Sequence, residues 1–263
     1  MSTRAALLVE YDGTGFVGWQ SQRAGDGIAV QDVLEAAAAR LAGGAKAATS
    51  VAGRTDAGVH AAGQVALLEL PVLFPVDRLA AALNFHLKPH AVAIRRAAPA
   101  PSGWHPRFSA TGRAYRYVIL NRRARPALLA GRVWHVAAPL DVPAMREAGR
   151  LLLGRHDFSA FRAAACQAPS PLRTLDRLDV AAAEERIEIV AEARSFLHHQ
   201  VRNMVGTLKL VGEGRWPVAR VAEILAGRDR RAAGPTAPAA GLCLTAVRYP
   251  VDPFADAGKE QNR

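Results

Sequence analysis

The chain of 263 residues is 50% hydrophobic and carries a net charge of +11, with a pI near 10.7, a length that suits one large or two modest domains with a sizeable core. No apolar run is long enough to span a membrane, no secretory leader is expected at the N-terminus, and Cys166 and Cys243 lack the spacing of a disulfide framework or a cysteine zinc site. A soluble, cytoplasmic protein with a polyanionic partner is the expectation, although a genomic bias toward alanine and arginine would raise the charge as well. Lys46, Lys88, Lys209 and Lys259 are the only lysines, so arginine dominates, and its planar fork pairs phosphates bidentately and stacks on bases.

In chain order, residues 4–11 read as a buried strand and 12–28 as a glycine-rich loop. Residues 30–41 place Val30, Val33, Leu34, Ala37 and Leu41 at helical spacing and end at Gly43-Gly44, a helix stop. Strands are predicted at 49–52 and 64–70, a helix at 76–87 that halts before Pro89, and a strand at 92–95. The Pro-, Ser- and Gly-rich stretch 99–108 is the best candidate for a domain link. Beyond it come a strand at 115–120, a helix at 144–153, and a hairpin pair at 175–181 and 186–193. Helices at 198–211 and 218–225, a flexible basic loop at 228–240 and a closing strand at 242–249 complete the pattern. Antiparallel-looking strands mixed with packed helices give an α+β fold, with two related halves one way to build it.

Gly13-Thr-Gly15-Phe-Val-Gly18 fits the dinucleotide-binding pattern and follows a strand, but the crossover helix that should start at its third glycine begins only near Val30. Metal ligation fares no better. Pro89 splits His86 from His90, and His198-His199 has no third ligand at useful spacing. No nucleophile elbow occurs.

The stretch AGRTDAGVHA, residues 52–61, sets one carboxylate, Asp56, between strand-like flanks. Gly53 and Gly58 let the backbone come close to a ligand. Loop N–H groups and Arg54 would favour an ionised carboxylate, suited to a nucleophile or an electrostatic stabiliser. An Asx-turn joining two strands accounts for the same residues, and spacing alone leaves both readings open. Residues 107–121 interleave Arg107, Arg113 and Arg116 with Tyr115 and Tyr117 along one strand, the two tyrosines on one face and Arg116 on the other. Such tyrosines stack on a base or half-bury in a hairpin. His198 and Arg202 fall at i, i+4 on one helical face, and Arg202, set among apolar residues, calls for an anionic partner. The leucines of GLCL, residues 241–244, also suit a plain strand core.

The strings YDGTGFVGWQ, GRTDAGVHAAGQV, RFSATGRAYRY, DFSAF, FLHHQVRNMVG and GLCLTAV occur here in an order and spacing that resembles the tRNA pseudouridine synthase A family. The resemblance runs from about Ala5 to Tyr249, and the GRTDAGVHA string within it is highly specific. It implies an enzyme, an isomerase that converts uridine to pseudouridine at positions 38, 39 and 40 of the tRNA anticodon stem–loop. No cofactor, metal or membrane is implied, and a homodimer is. The implied fold has two α/β halves sharing a continuous, mainly antiparallel sheet with a cleft between them. Residues 1–104 would be the half with the Asp56 loop, 105–250 the half with Tyr115 and the HHxxRN helix, and 251–263 a loose tail.

Residue by residue, the resemblance makes Asp56 the catalytic aspartate and Tyr115 the base-stacking tyrosine. It makes Arg202 the arginine paired with that carboxylate, Leu242 the apolar wall beside the base, and Arg54 a contact to RNA and to the flipped nucleotide. Arg107 falls in the matching basic strand. Gln200 departs from the pattern, standing where methionine is expected. Attack of the carboxylate on C1′, its addition to C6, and removal of a ribose proton to give a glycal-like species all remain open. Two alternatives accompany this reading, a nucleic-acid N-glycosylase that releases the base and a non-catalytic tRNA-binding protein.

Overall fold

A computed structural model describes residues 2–22 and 27–255, so part of the predicted 12–28 loop and the last residues of the expected tail lie outside the described residues. The chain forms two compact units, one of residues up to 111 with those from 244 onward, the other of residues 112–243. Among the described residues no helix is long and apolar enough to cross a membrane.

The first unit begins with β1 (Thr3–Tyr11), α1 (Val30–Leu41), β2 (Ala48–Val51), β3 (His60–Leu70), α2 (Val76–Leu87) and β4 (Val92–Pro99). β1 is the middle strand of an antiparallel set, with Leu7 opposite Ala66 of β3 on one side and Ala97 of β4 on the other. Its odd-numbered residues Ala5, Leu7, Val9 and Tyr11 are buried, as period-two alternation requires. α1 buries Val30, Val33, Leu34, Ala37 and Ala38, close to the predicted stripe, and the Asp32 carboxylate accepts from the Ala29 amide at its start. A second cluster on Ala6, Val65 and Leu67 includes Trp104, Tyr249 and Phe254. The Trp104 and Tyr249 rings lie 5.3 Å apart.

The second unit holds β5 (Gly112–Asn121), β6 (Trp134–Val136), α3 (Val142–Arg150), β7 (Gly154–Asp157), β8 (Leu172–Ala183), β9 (Arg186–Ala193), α4 (Gln200–Gly212) and α5 (Arg220–Gly227). Its strands run in the order β5-β9-β8-β7 with antiparallel neighbours, and β6 lies parallel to β5. α4 is buried on nearly every side, and two of its polar residues are paired there: Asn203 Nδ2 donates to Phe161 O and Thr207 Oγ1 to Asn203 O, each at 2.8 Å. β10 (Leu242–Arg248) closes the described secondary structure and is hydrogen-bonded beside β3.

Three local readings are corrected. Arg107 does not lie on a basic strand, because β5 starts only at Gly112. It sits in a turn that His105 and Ser109 close, the Ser109 amide donating to His105 O at 3.0 Å and the His105 amide to Ser109 Oγ at 3.1 Å. His198 is not on the helical face of Arg202, since His199 has φ = 62° and α4 begins at Gln200. The 228–240 stretch is folded against α4. Arg230 donates to Asn203 Oδ1, Thr236 Oγ1 and Gly234 O at 2.9–3.1 Å, and Gly234 N donates to Thr207 Oγ1 at 3.0 Å.

Candidate active site

In the first unit Asp56 is half-buried and opens a tight turn, with Val59 N donating to Asp56 O at 3.1 Å. Gly58, third in that turn, has φ = +75°, the type II geometry that favours glycine. The residues that look like a dinucleotide loop are the seat of this turn. Asp56 forms an isolated antiparallel bridge with Gly18, Trp19 N donates to Thr55 O at 3.1 Å, and Gly58 N donates to Phe16 O at 3.2 Å. A Cβ on Gly13 would stand 2.1 Å from Val59 O, and one on Gly18 2.6 Å from Thr55 O. Two of these glycines are therefore places where two backbones meet, and no ligand is needed to explain them.

Side chains missed at the sequence level hold the same turn. The Thr55 and Tyr11 hydroxyls are 2.7 Å apart and buried. Gln64, fully buried, donates to Gly53 O at 2.7 Å and lies 3.4 Å from Tyr11 Oη. His60 Nδ1 accepts from the Gly13 amide at 3.0 Å and lies 3.1 Å from Asp12 Oδ1. A glutamine ahead of the run Val65-Ala-Leu-Leu is a legible signal, because a polar residue facing a core must be satisfied. Arg54 is exposed and makes no hydrogen bond or ion pair among the described residues. Arg107 is exposed as well, with its guanidinium 6.0 Å from the Phe108 ring.

In the second unit Tyr115 is half-buried, its ring edge-on to Phe196 at 5.3 Å and 86°. Phe196 is another residue the sequence reading passed over. Two residues along β5, Tyr117 is fully buried and donates to Pro238 O at 2.8 Å. Burial pushes its hydroxyl far above the ordinary tyrosine range against an opposing pull from the Arg202 guanidinium, so it stays a protonated donor. Arg202 Nε donates to Ala237 O at 2.8 Å, which fixes the side chain against the folded 228–240 stretch. Leu242 is buried. Gln200 Oε1 accepts from Leu197 N at 2.8 Å at the start of α4, which methionine cannot do, while its Nε2 is buried without a partner.

A family profile described as tRNA pseudouridine synthase matches residues 7–109 and 148–250. The first stretch contains Arg54, Asp56 and Arg107, the second Arg202 and Leu242, and Tyr115 falls between them. The chain belongs to the tRNA pseudouridine synthase family. Among its relatives, a protein of Acidiphilium cryptum (strain JF-5) named tRNA pseudouridine synthase A is 71% identical, the match covering 95% of this chain and 98% of the relative. Proteins of the same name from Gluconobacter oxydans (strain 621H) and Paramagnetospirillum magneticum (strain ATCC 700264 / AMB-1) are 53% and 58% identical. Those matches cover 95% and 94% of this chain, and 91% and 95% of the relatives.

Proposed function

We propose that this chain is a tRNA pseudouridine synthase that isomerises uridine at positions 38, 39 and 40 of the anticodon stem–loop, working in the cytoplasm as a homodimer without metal or cofactor. The observation that carries the reading is 71% identity to a tRNA pseudouridine synthase A across 95% of the chain. Asp56 is the catalytic carboxylate. Tyr115 stacks on the target base, Arg54 holds RNA, and Arg202, Leu242 and Arg107 bind the substrate.

The reaction breaks the N1–C1′ bond, turns the uracil over and joins C5 to C1′, with the C5 hydrogen leaving as a proton. A nucleotide in or beside a stem must first be extruded, at a cost of about a few kcal/mol. Stacking on an aromatic side chain returns roughly 1–3 kcal/mol per base, and the exposed Arg54, which makes no hydrogen bond or ion pair among the described residues, can take a phosphate. A carboxylate on a turn with its backbone locked suits chemistry at C1′ or C6, where small displacements are expensive.

The test is tritium release from tRNA labelled at uridine C5. The wild type should release tritium, and Asp56→Asn should release none while binding tRNA within a few-fold of wild type. Free uracil as the product would mean an N-glycosylase. Bound tRNA with no release from either protein would mean a non-catalytic binding protein.

A further inference from the structure

The second unit carries a group of arginines that the proposed chemistry does not use. Arg155 on β7 stands opposite Thr174 on β8. Ala193, the last residue of β9, stands opposite Leu175, so Arg194, the next residue, continues that register beside Thr174. Two arginines thus flank one threonine across three strands, with roughly 9–10 Å between their Cα atoms at ordinary strand spacing. Together with Leu172, Arg173 and Ser195 they line a depression of about 230 Å³.

Arg155 and Arg194 are exposed, and their guanidinium groups make no hydrogen bond or ion pair among the described residues. The nearby carboxylates do not neutralise them. Asp157 accepts from the Ser159 amide at 2.9 Å and faces Arg228 at 3.5 Å. Asp176, exposed where β8 slips register against β9, makes no ion pair among the described residues.

Arg173 gives the depression its fixed element. Its Nη1 donates to Ser170 O at 3.0 Å and Leu172 O at 2.6 Å, which holds the plane of the group, while its Nε is buried without a partner. Burial draws this guanidinium below the ordinary arginine range, yet arginine remains charged at any physiological pH. The Arg155 and Arg194 guanidinium groups, unpaired among the described residues, the part of the Arg173 guanidinium that lines the depression, and the Thr174 and Ser195 hydroxyls make a set of donors around it. Planar, forked donors match phosphate oxygens.

We infer that Arg155, Arg173 and Arg194, with Thr174 and Ser195, form a binding site for the phosphodiester backbone of the RNA substrate. The inference rests on the tRNA reading above and assigns it a contact made by residues outside the candidate active site. Such contacts fix register without reading sequence.

The experiment titrates tRNA against wild type, Arg155→Ala/Arg194→Ala and Arg155→Lys/Arg194→Lys over stepped salt concentrations, with melting curves to confirm folding. The alanine pair should bind at least tenfold more weakly at low salt. Its log–log salt slope should be shallower by about 1.4–1.8, since each lost phosphate contact removes 0.7–0.9. The lysine pair should keep the slope. Equal slope and affinity for wild type and alanine pair would overturn the assignment. So would loss of inorganic pyrophosphate binding in the alanine pair with the tRNA slope unchanged, which would mark a free-anion site instead. Tritium release by the wild type, measured alongside, separates the two levels. Release with unaltered slopes defeats only this site, and no release defeats the underlying reading.

Discussion

The hydroxyls of Tyr11 and Thr55 meet at 2.7 Å inside the first unit, tying the end of β1 to the residue just before Asp56. Thr55 is also held through its carbonyl by Trp19 N, so the backbone leading into the carboxylate is gripped from two sides. Tyr11→Phe removes one grip and leaves the buried Thr55 hydroxyl short of a partner, a loss of about 1–3 kcal/mol. At roughly 2–4 °C per kcal/mol for a chain of about this size, the melting temperature should drop by several degrees. A positioning role predicts more than that: kcat should fall while KM holds, with Thr55→Ser near wild type and Thr55→Val matching Tyr11→Phe. A lower melting temperature with kcat intact at the assay temperature would make the pair purely structural.

Gly18 and Gly15 both have positive φ, +111° and +83°, yet their surroundings differ. A Cβ on Gly18 would meet Thr55 O at 2.6 Å, whereas one on Gly15 would meet nothing within 4 Å. Gly15→Ala therefore carries backbone strain alone, about 1–3 kcal/mol. Gly18→Ala adds a collision with the backbone of the Asp56 turn, which has to shift. Tritium-release assays on folded protein should show Gly15→Ala within a few-fold of wild type and Gly18→Ala slowed at least tenfold. Equal rates would mean that the turn does not depend on its glycine seat.

These same residues show how far the sequence could be read. The bounds of α1 and α2 follow directly from apolar spacing with a glycine stop or a proline after it, both local signals. β6 and β7, with three and four residues, are too short for alternation to register. Gly13 and Gly18 were recognisable as special, but their partners, Val59 and Thr55, lie far along the chain and only tertiary structure brings them together. The 228–240 stretch looks mobile by composition because nothing in it predicts that Arg230 would bond back to Asn203 and Thr236. Asp56 is the converse case. Its turn was local and legible, while the catalytic role proposed for it rests on the resemblance of the GRTDAGVHA string to a family motif, since one carboxylate in a glycine-rich loop has many uses.

The Tyr115 ring meets Phe196 edge-on at 5.3 Å, just beyond the end of β9. If Tyr115 stacks on the target uracil, that contact is worth about 1–3 kcal/mol, or some five- to 150-fold in kcat/KM. Tyr115→Ala should lose that factor, and Tyr115→Phe, which keeps the aromatic face, should retain most of it. Phe196→Ala leaves the tyrosine in place but removes its lateral support, so its loss should be intermediate. Combining Phe196→Ala with Tyr115→Ala should add little beyond Tyr115→Ala alone, because the phenylalanine acts through the ring it orients. Steady-state kinetics on the four variants decides the matter: losses that simply multiply would mean Phe196 serves the reaction independently, and a silent Tyr115→Ala would remove the stacking role altogether.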